Sequence, residues 1–481
     1  MIITQTTLMS NYVPQAERKK ILFITDDIRS TSGVGTMARE IVLGTSHVFN
    51  WVNVGAAIQH PEIGKRIDMS EDTNRHTKLT DANVVVYPAN GYGNPEMIRQ
   101  LLEMEKPDAV MLFTDPRHYM HIFHMEKEIR KKCPIVYYSI WDELPTPLWN
   151  YPYYASCDAL VGISRQTDNI HKIIMENNIN VTFKQVSHGI DQNKFYPVDK
   201  SEHEFVSFKN KLFGGKNYEF VVFWNSRNIQ RKQPADVIMS FKHFTSGLSD
   251  EQASKCVLVM HTQPRDHNGT DLYAVREAIC DEKCNVIFSE NMLSAQHMNY
   301  LYNLADITML ISSAEGWGLS LTESMMAGTM ILANATGGMI DQMRFEDENG
   351  NWIEYSKEFP SNHTGKYKKC GKWALPVFPA SLTLVGSLPT PYIYDSRCNV
   401  LDVAKRLREA YDMSSVERQE RGLAGSEWVR SNESKMTAEN MCLGIIDAVN
   451  ETLSKYKPVD TFELLQIEDI KPKKIQHQLI Y

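Results

Sequence analysis

KKILFITDDIRSTSGVGTMAREIVLG, residues 19–44, decides the fold. Lys19 to Asp26 is an apolar run bounded by charge, the pattern of a buried strand. DIRSTSGVG then reads as a turn with glycines at 33 and 35, and TMAREIVLG opens a helix. A strand, a glycine loop and a helix in that order are one β-loop-α unit, the repeating piece of a parallel sheet covered by helices.

The same alternation continues outward. Strands are expected at Val84 to Tyr87, Ala109 to Phe113, Ile135 to Ser139, Ala159 to Ile163 and Phe183 to Ser187, with helices such as Pro95 to Met104 and His118 to Lys131 between them. The pattern halts at HGIDQNKFYPVDK (His188 to Lys200) and then resumes, which makes this stretch the boundary between two domains, 1–198 and 199–434. In the second, strands are expected at Phe220 to Trp224, Val257 to His261, Val286 to Phe288, Ile307 to Ile311 and Met330 to Ala333. Helices are expected at Pro234 to Thr245, Leu272 to Ile279, Ala295 to Leu304 and Leu319 to Ala327. From 345 to 399 periodicity fails, which reads as an irregular insertion. Helices return at Val400 to Met413, Ser415 to Val429 and Thr437 to Lys455, and residues 459–481 read as a polar tail with the basic cluster KPKK.

Bulk properties narrow the function. With 481 residues the chain exceeds one ordinary core, and 42% apolar with 23% charged residues is the balance of a globular protein. A net charge of −8 excludes a global positive field for nucleic acid or anionic membranes. The first residues have no secretory pattern and no later run reaches the length of a membrane span, so a cytoplasmic protein is expected. Eight cysteines at irregular positions make neither a disulfide framework nor a zinc site.

The chemistry concentrates in SSAEGWGLSLTESMMAGTMIL, Ser312 to Leu332. Gly316 and Gly318 let the backbone approach a ligand, and a helix opening near Leu319 points N–H groups at it, which suits phosphate. Glu315 and Glu323 would repel that phosphate unless they face elsewhere, and carboxylates accept hydrogen bonds from vicinal hydroxyl groups. One acid is therefore expected on a ribose and the other on a sugar. In FWNSRNIQRKQPADVI a strand leads into Arg227 and then Lys232 before a proline-started helix. This places cations at the carboxyl edge of the sheet, where a diphosphate leaving group needs them; Arg231 reads as a spare. His118, His121 and His124 fan round a helix rather than converge on a metal. His118 and Asp115, and Asp142 in SIWDELP, follow first-domain strands where an acceptor hydroxyl is oriented.

Taken together these segments resemble family four glycosyltransferases. EGWGLSLTE resembles the E-x7-E signature of that family, Arg227 with Lys232 its R-x4-K phosphate pair, and HGIDQNKFYP its interdomain segment. SGVG resembles its N-terminal glycine loop, and VGISRQT a further first-domain segment. The resemblance spans most of residues 20–335. It implies a GT-B fold: α/β, two Rossmann-like domains facing across a cleft, with a C-terminal helix at about 435–458 crossing back to the first. It implies a retaining transferase that needs no cofactor, with a nucleoside-diphosphate sugar as donor substrate. Glu323 would hold the ribose, Glu315 the sugar hydroxyls, and Gly316, Trp317, Gly318 and Leu319 the sugar and phosphates. Arg227 and Lys232 would hold the diphosphate, while Gly33 and Gly35 form the first glycine loop.

No two aspartates stand at D-x-D spacing, which favours a metal-free mechanism. The acceptor stays open between a saccharide and another hydroxyl carrier. The SGVG opening and the stretch WALPVFPASLTLVGSLPTPYIYD are similar to phage-encoded relatives, which makes transfer to a hydroxylated base of DNA the alternative. A non-catalytic nucleotide-sugar binder is a further reading on the same fold. Neither the nucleobase nor the oligomeric state is readable.

Overall fold

The computed structural model describes residues 11–57, 61–176, 178 and 180–459; the cluster KPKK lies outside them. Eight strands form the first sheet: β1 (Lys19–Asp26), β2 (Phe49–Ala56), β3 (Ile67–Asp68), β4 (Val84–Pro88), β5 (Ala109–Phe113), β6 (Ile135–Ser139), β7 (Ala159–Gly162) and β8 (Thr182–Gln185). Their order is β3-β4-β2-β1-β5-β6-β7-β8, and every ladder except β3–β4 is parallel. Ile21, Leu22, Phe23 and Ile24 are all fully buried, as a central strand covered on both faces requires.

The second sheet contains β9 (Phe220–Asn225), β10 (Cys256–His261), β11 (Val286–Ser289), β12 (Ile307–Leu310), β13 (Met330–Asn334) and β14 (Ala374–Val377). They run in the order β11-β10-β9-β12-β13-β14, all parallel. Counted from β9 this is 3-2-1-4-5-6, the Rossmann order, whose switch point falls between β9 and β12. Those two strands pair only at Ile307 with Val222 and Thr308 with Phe223. Beyond that register they part, and a crevice opens at their carboxyl ends. In the first sheet the equivalent switch point lies between β1 and β5.

The segment 345–399, expected to be irregular, supplies both β14 and a two-stranded antiparallel hairpin, β15 (Ser381–Ser387) and β16 (Thr390–Arg397). Pro376, Pro379, Pro389 and Pro391 hid these strands: one lies at a sheet edge and the others in an isolated hairpin, both places that tolerate proline. The helix expected over His118 to Lys131 is three short pieces, Pro116–Tyr119, Met120–His124 and Glu126–Arg130. In strand β2 Asn50, Asn53 and Gly55 interrupt the apolar run, which masks it in the sequence. Asn53 instead serves the sheet, accepting from Ile28 N and donating to Phe23 O.

The last helix, Ala438–Lys455, returns to the first half and packs on the helix Gly33–Thr45 and on β7 and β8. Met441, Cys442, Ile445, Ala448 and Val449 are its buried stripe. Ile190 pairs with the start of this helix, donating to Met436 O and accepting from Ala438 N at 3.0 Å each. A Cβ on Gly189 would stand 2.2 Å from Thr437 O, so this crossing requires glycine. Among the described residues no helix is long and apolar enough to cross a membrane.

Candidate active site

Both switch points open into one cleft of about 1330 Å³. Its second-half wall comes from the loops after β9 and β12, which are far apart in sequence but tied where Ser313 N donates to Arg231 O at 2.8 Å. This bond brings Arg231 and Lys232 beside Glu315. The Lys232 ammonium donates to Glu315 Oε2, and Arg231 Nη1 reaches the same oxygen at 3.3 Å while donating to Ala314 O at 2.7 Å. Lys232 and Glu315 side chains are 12% and 10% exposed, so the pair is largely out of water.

Burial pushes the Lys232 ammonium down to about 8, against the pull of Glu315. Burial also penalises the Glu315 carboxylate, but the charges of Lys232 and Arg231 overcome it and hold this acid below its ordinary value. The cluster is thus two cations around one ionised carboxylate, with Asp142 and Glu143 facing Arg231 from the first-half wall. Gly338 N donates to Glu315 O at 2.9 Å, and a Cβ on Gly337 would stand 2.2 Å from that oxygen, so the glycine pair lets the chain close behind the acid.

Gly318, at φ +87°, starts the helix Leu319–Met326, whose opening residues Leu319 and Ser320 line the cleft. Gln342 Nε2 fixes this turn by donating to Gly318 O (2.9 Å) and to Thr322 Oγ1 (2.7 Å). Glu323 faces the cleft one turn on, accepting from the Tyr302 hydroxyl, which in turn accepts from Asn225 Nδ2 at 2.8 Å. Burial raises the Glu323 carboxyl above its ordinary value, partly opposed by the Tyr302 hydrogen bond.

The other expected residues divide. Gly316 lines the cleft and meets the first half, since a Cβ there would lie 2.9 Å from Ile163 Cδ1 and 3.0 Å from Ile140 O. Trp317 borders the cleft, but its indole is 2% exposed and its Nε1 donates to Thr322 Oγ1 at 3.1 Å, so it packs the loop. Gly33 lines the cleft opposite Leu319, whose Cδ1 would be 3.5 Å from a Gly33 Cβ. Gly35 sits deeper: a Cβ there would stand 2.9 Å from Asp27 O, and its N–H donates to Ser32 Oγ. Arg227 lines the cleft but is 63% exposed and ion-paired with Asp266 at 2.7 Å. Arg231, read as a spare, is the cation that joins Lys232 on Glu315.

On the first-half wall Asp115 lines the cleft, accepting from Arg117 N at 2.9 Å and pairing with the Arg117 guanidinium. His118 is not among the cleft residues. It is exposed and stacks on Tyr92 with ring centroids 4.8 Å apart. It lies one residue along the short turn Pro116–Tyr119 from Arg117, which lines the cleft. Asp142 lines the cleft, and so does Glu143, which spacing did not mark. Burial raises both acids, and for Glu143 the Asp142 charge adds to it. His188 of the interdomain segment also borders the cleft; burial lowers it to about 3, and its Nδ1 is 2.9 Å from the Tyr138 hydroxyl. Among the described residues no group of His, Cys, Asp or Glu has the geometry to hold a metal ion.

Two Rossmann-like sheets facing one cleft, with the final helix returned to the first, define the GT-B architecture. Residues 212–358 match the family model described as Glycosyl transferases group 1, covering β9 to β13 and the whole Glu315 to Glu323 segment. A glycosyltransferase from Rickettsia africae superposes with a TM-score of 0.59 at 12% identity, covering 91% of this chain and 99% of that one. Anabaena HepE in complex with UDP and glucose gives 0.61 at 12%, covering 90% and 100%. Sucrose-phosphate synthase from Thermosynechococcus elongatus gives 0.61 at 12%, covering 91% and 100%. No curated protein matches the chain. The family match and the shared fold together support a glycosyltransferase.

Proposed function

We propose that this chain transfers a sugar from a nucleoside diphosphate to an acceptor hydroxyl, with retained configuration and without a metal. The observation that carries the reading is the convergence on one cleft of Lys232, Arg231, the opening of the helix Leu319–Met326 and two acids, Glu315 and Glu323. The diphosphate sits on the helix opening and the two cations, which meet the charge that develops as the bond to the sugar breaks. Glu323 accepts from the ribose and Glu315 from sugar hydroxyls. The solved complex of Anabaena HepE with UDP and glucose supports a donor of this class on the same architecture.

In the step itself the bond between anomeric carbon and phosphate oxygen breaks, and the acceptor oxygen bonds to that carbon from the same face. The acceptor proton passes to the departing phosphate oxygen, so no protein nucleophile is required. Closure of the two halves excludes water and suppresses hydrolysis of the donor.

Nucleoside diphosphate release, measured with acceptor across a panel of donors, tests the reading. Turnover unchanged in both Lys232→Ala and Glu323→Ala would sink it. A thermal-shift panel of nucleoside diphosphates identifies the base, because a ligand of the folded state raises its melting temperature.

A further inference from the structure

The hairpin β15–β16 belongs by sequence to the second half, yet it reaches across to the first. Its stem is fastened beside the donor loop. Asn334 Nδ2 donates to Ser396 O (2.7 Å) and to Ser312 O (2.8 Å), and Ser396 N donates to Ser313 O (3.3 Å), two residues before Glu315. Its return strand engages the other wall at alternate residues. Thr390 Oγ1 accepts from Arg117 Nη1 (2.6 Å), the Tyr392 ring stands edge-on to Trp149 (4.3 Å), and Tyr394 N donates to Leu144 O (2.7 Å). Ile393 and Tyr394 also pack against the first-half core.

Ile393 is paired in register with Val385, and both line the cleft. The bond from Tyr394 to Leu144 fastens this strand to the loop that carries Asp142 and Glu143, which line the same cleft. An aliphatic wall and a pair of carboxyl groups therefore line the same cleft, with both carboxyls close enough to Arg231 for their charges to act on it.

Resting on the glycosyl-transfer reading, we propose that this corner is the acceptor subsite, built for a neutral sugar ring. Val385 and Ile393 cover the apolar face of the ring, and Asp142 and Glu143 accept from hydroxyl groups on its edge. Tyr392 does not line the cleft; it is a positioning residue that holds the wall against Trp149.

The test uses the full chain, a panel of nucleoside-diphosphate hexoses and pentoses as donors, and two acceptors: a set of neutral methyl glycosides and a duplex oligonucleotide containing hydroxymethylcytosine. Transfer to the glycosides is expected. Tyr392→Ala raises the glycoside KM about tenfold with kcat changed less than about threefold, because the lost aromatic contact loosens the wall. The melting shift produced by the nucleoside diphosphate stays as in the natural chain, and Tyr392→Phe, which keeps the ring, restores KM. Val385→Asp, which places a charge in the wall, raises the glycoside KM independently of Tyr392. Unchanged KM in both Tyr392→Ala and Val385→Asp, or transfer to the duplex alone, overturns the subsite. Loss of transfer to either acceptor together with absence of any nucleotide-induced melting shift overturns the parent reading instead.

Discussion

In the proposed reaction Lys232 carries charge that meets the donor diphosphate, and its burial gives two pH effects of opposite direction. Its ammonium titrates near 8 in the fold, so above about pH 8 the cleft loses a cation and kcat/KM falls about tenfold per pH unit. Free lysine keeps its proton to about pH 10.4. Between those values the unfolded chain binds more protons than the folded one, so this group's contribution to stability rises with pH while activity declines. A rate profile flat to pH 9.5 would refute the assignment; Lys232→Arg, which stays charged, moves the alkaline limb upward. Lys232→Ala leaves Glu315 with Arg231 alone, an expected loss of up to about 3 kcal/mol in urea unfolding and about 10²-fold or more in kcat. Adding Glu315→Gln to Lys232→Met restores stability but not turnover. At this scale the placing of Glu315, Glu323 and Lys232 on the cleft was legible, because each is set by spacing within its own loop. The pairing of Arg231 with Glu315 and of Arg227 with Asp266 was not, because these partners lie far away in sequence. The stacking of His118 on Tyr92 was unreadable for a similar reason, since Tyr92 comes from another loop.

Elements follow the same division. Strands with continuous apolar runs, such as Ala109–Phe113 and Ile135–Ser139, were readable because burial on both faces demands that composition. Strand β2 and the hairpin were hidden by residues whose use appears only in three dimensions: Asn53 as a bridge to β1, and prolines at unpaired edges. The helix Leu319–Met326 was readable together with its glycine start, and that start is its vulnerable point. Gly318 holds φ +87°, and a Cβ there would meet Leu310 Cδ2 at 3.2 Å and both Gln342 Oε1 and Met339 Cγ at 3.3 Å. Gly318→Ala therefore carries about 1–2 kcal/mol of backbone strain before any neighbour shifts. The expected result is a lower urea midpoint with an unchanged m-value, and a larger loss of nucleoside diphosphate affinity than of stability, since the turn aims the helix opening. Full affinity in a destabilised Gly318→Ala would remove the helix opening from the donor site.

Across the whole molecule, apolar packing runs from the first sheet through Trp317, Leu321 and Trp428 to the returning helix, so the halves share a core beside the cleft. One polar contact is embedded in it. Arg165, at the start of the first-half helix that follows β7, donates its N–H to Asp341 Oδ2 at 2.8 Å, and its guanidinium lies over the Trp352 ring at 4.4 Å. Burial raises Asp341 to about 6, more than the Arg165 charge lowers it. An unfolded aspartate titrates near 3.9. Between those values the folded chain binds more protons, so the contribution of Asp341 to stability is largest below about pH 4 and falls as pH rises to about 6. Asp341→Asn keeps an acceptor for Arg165 N–H and removes the charge that burial penalises. It is expected to be at least as stable as the natural chain at pH 7.5, and to lack the decline between pH 4 and 6 that the natural chain shows relative to it. Thermal unfolding of both proteins at pH 4, 5 and 7.5 measures this. A variant destabilised equally at all three values would mean that Asp341 holds the halves together as an ion rather than as a hydrogen-bond acceptor.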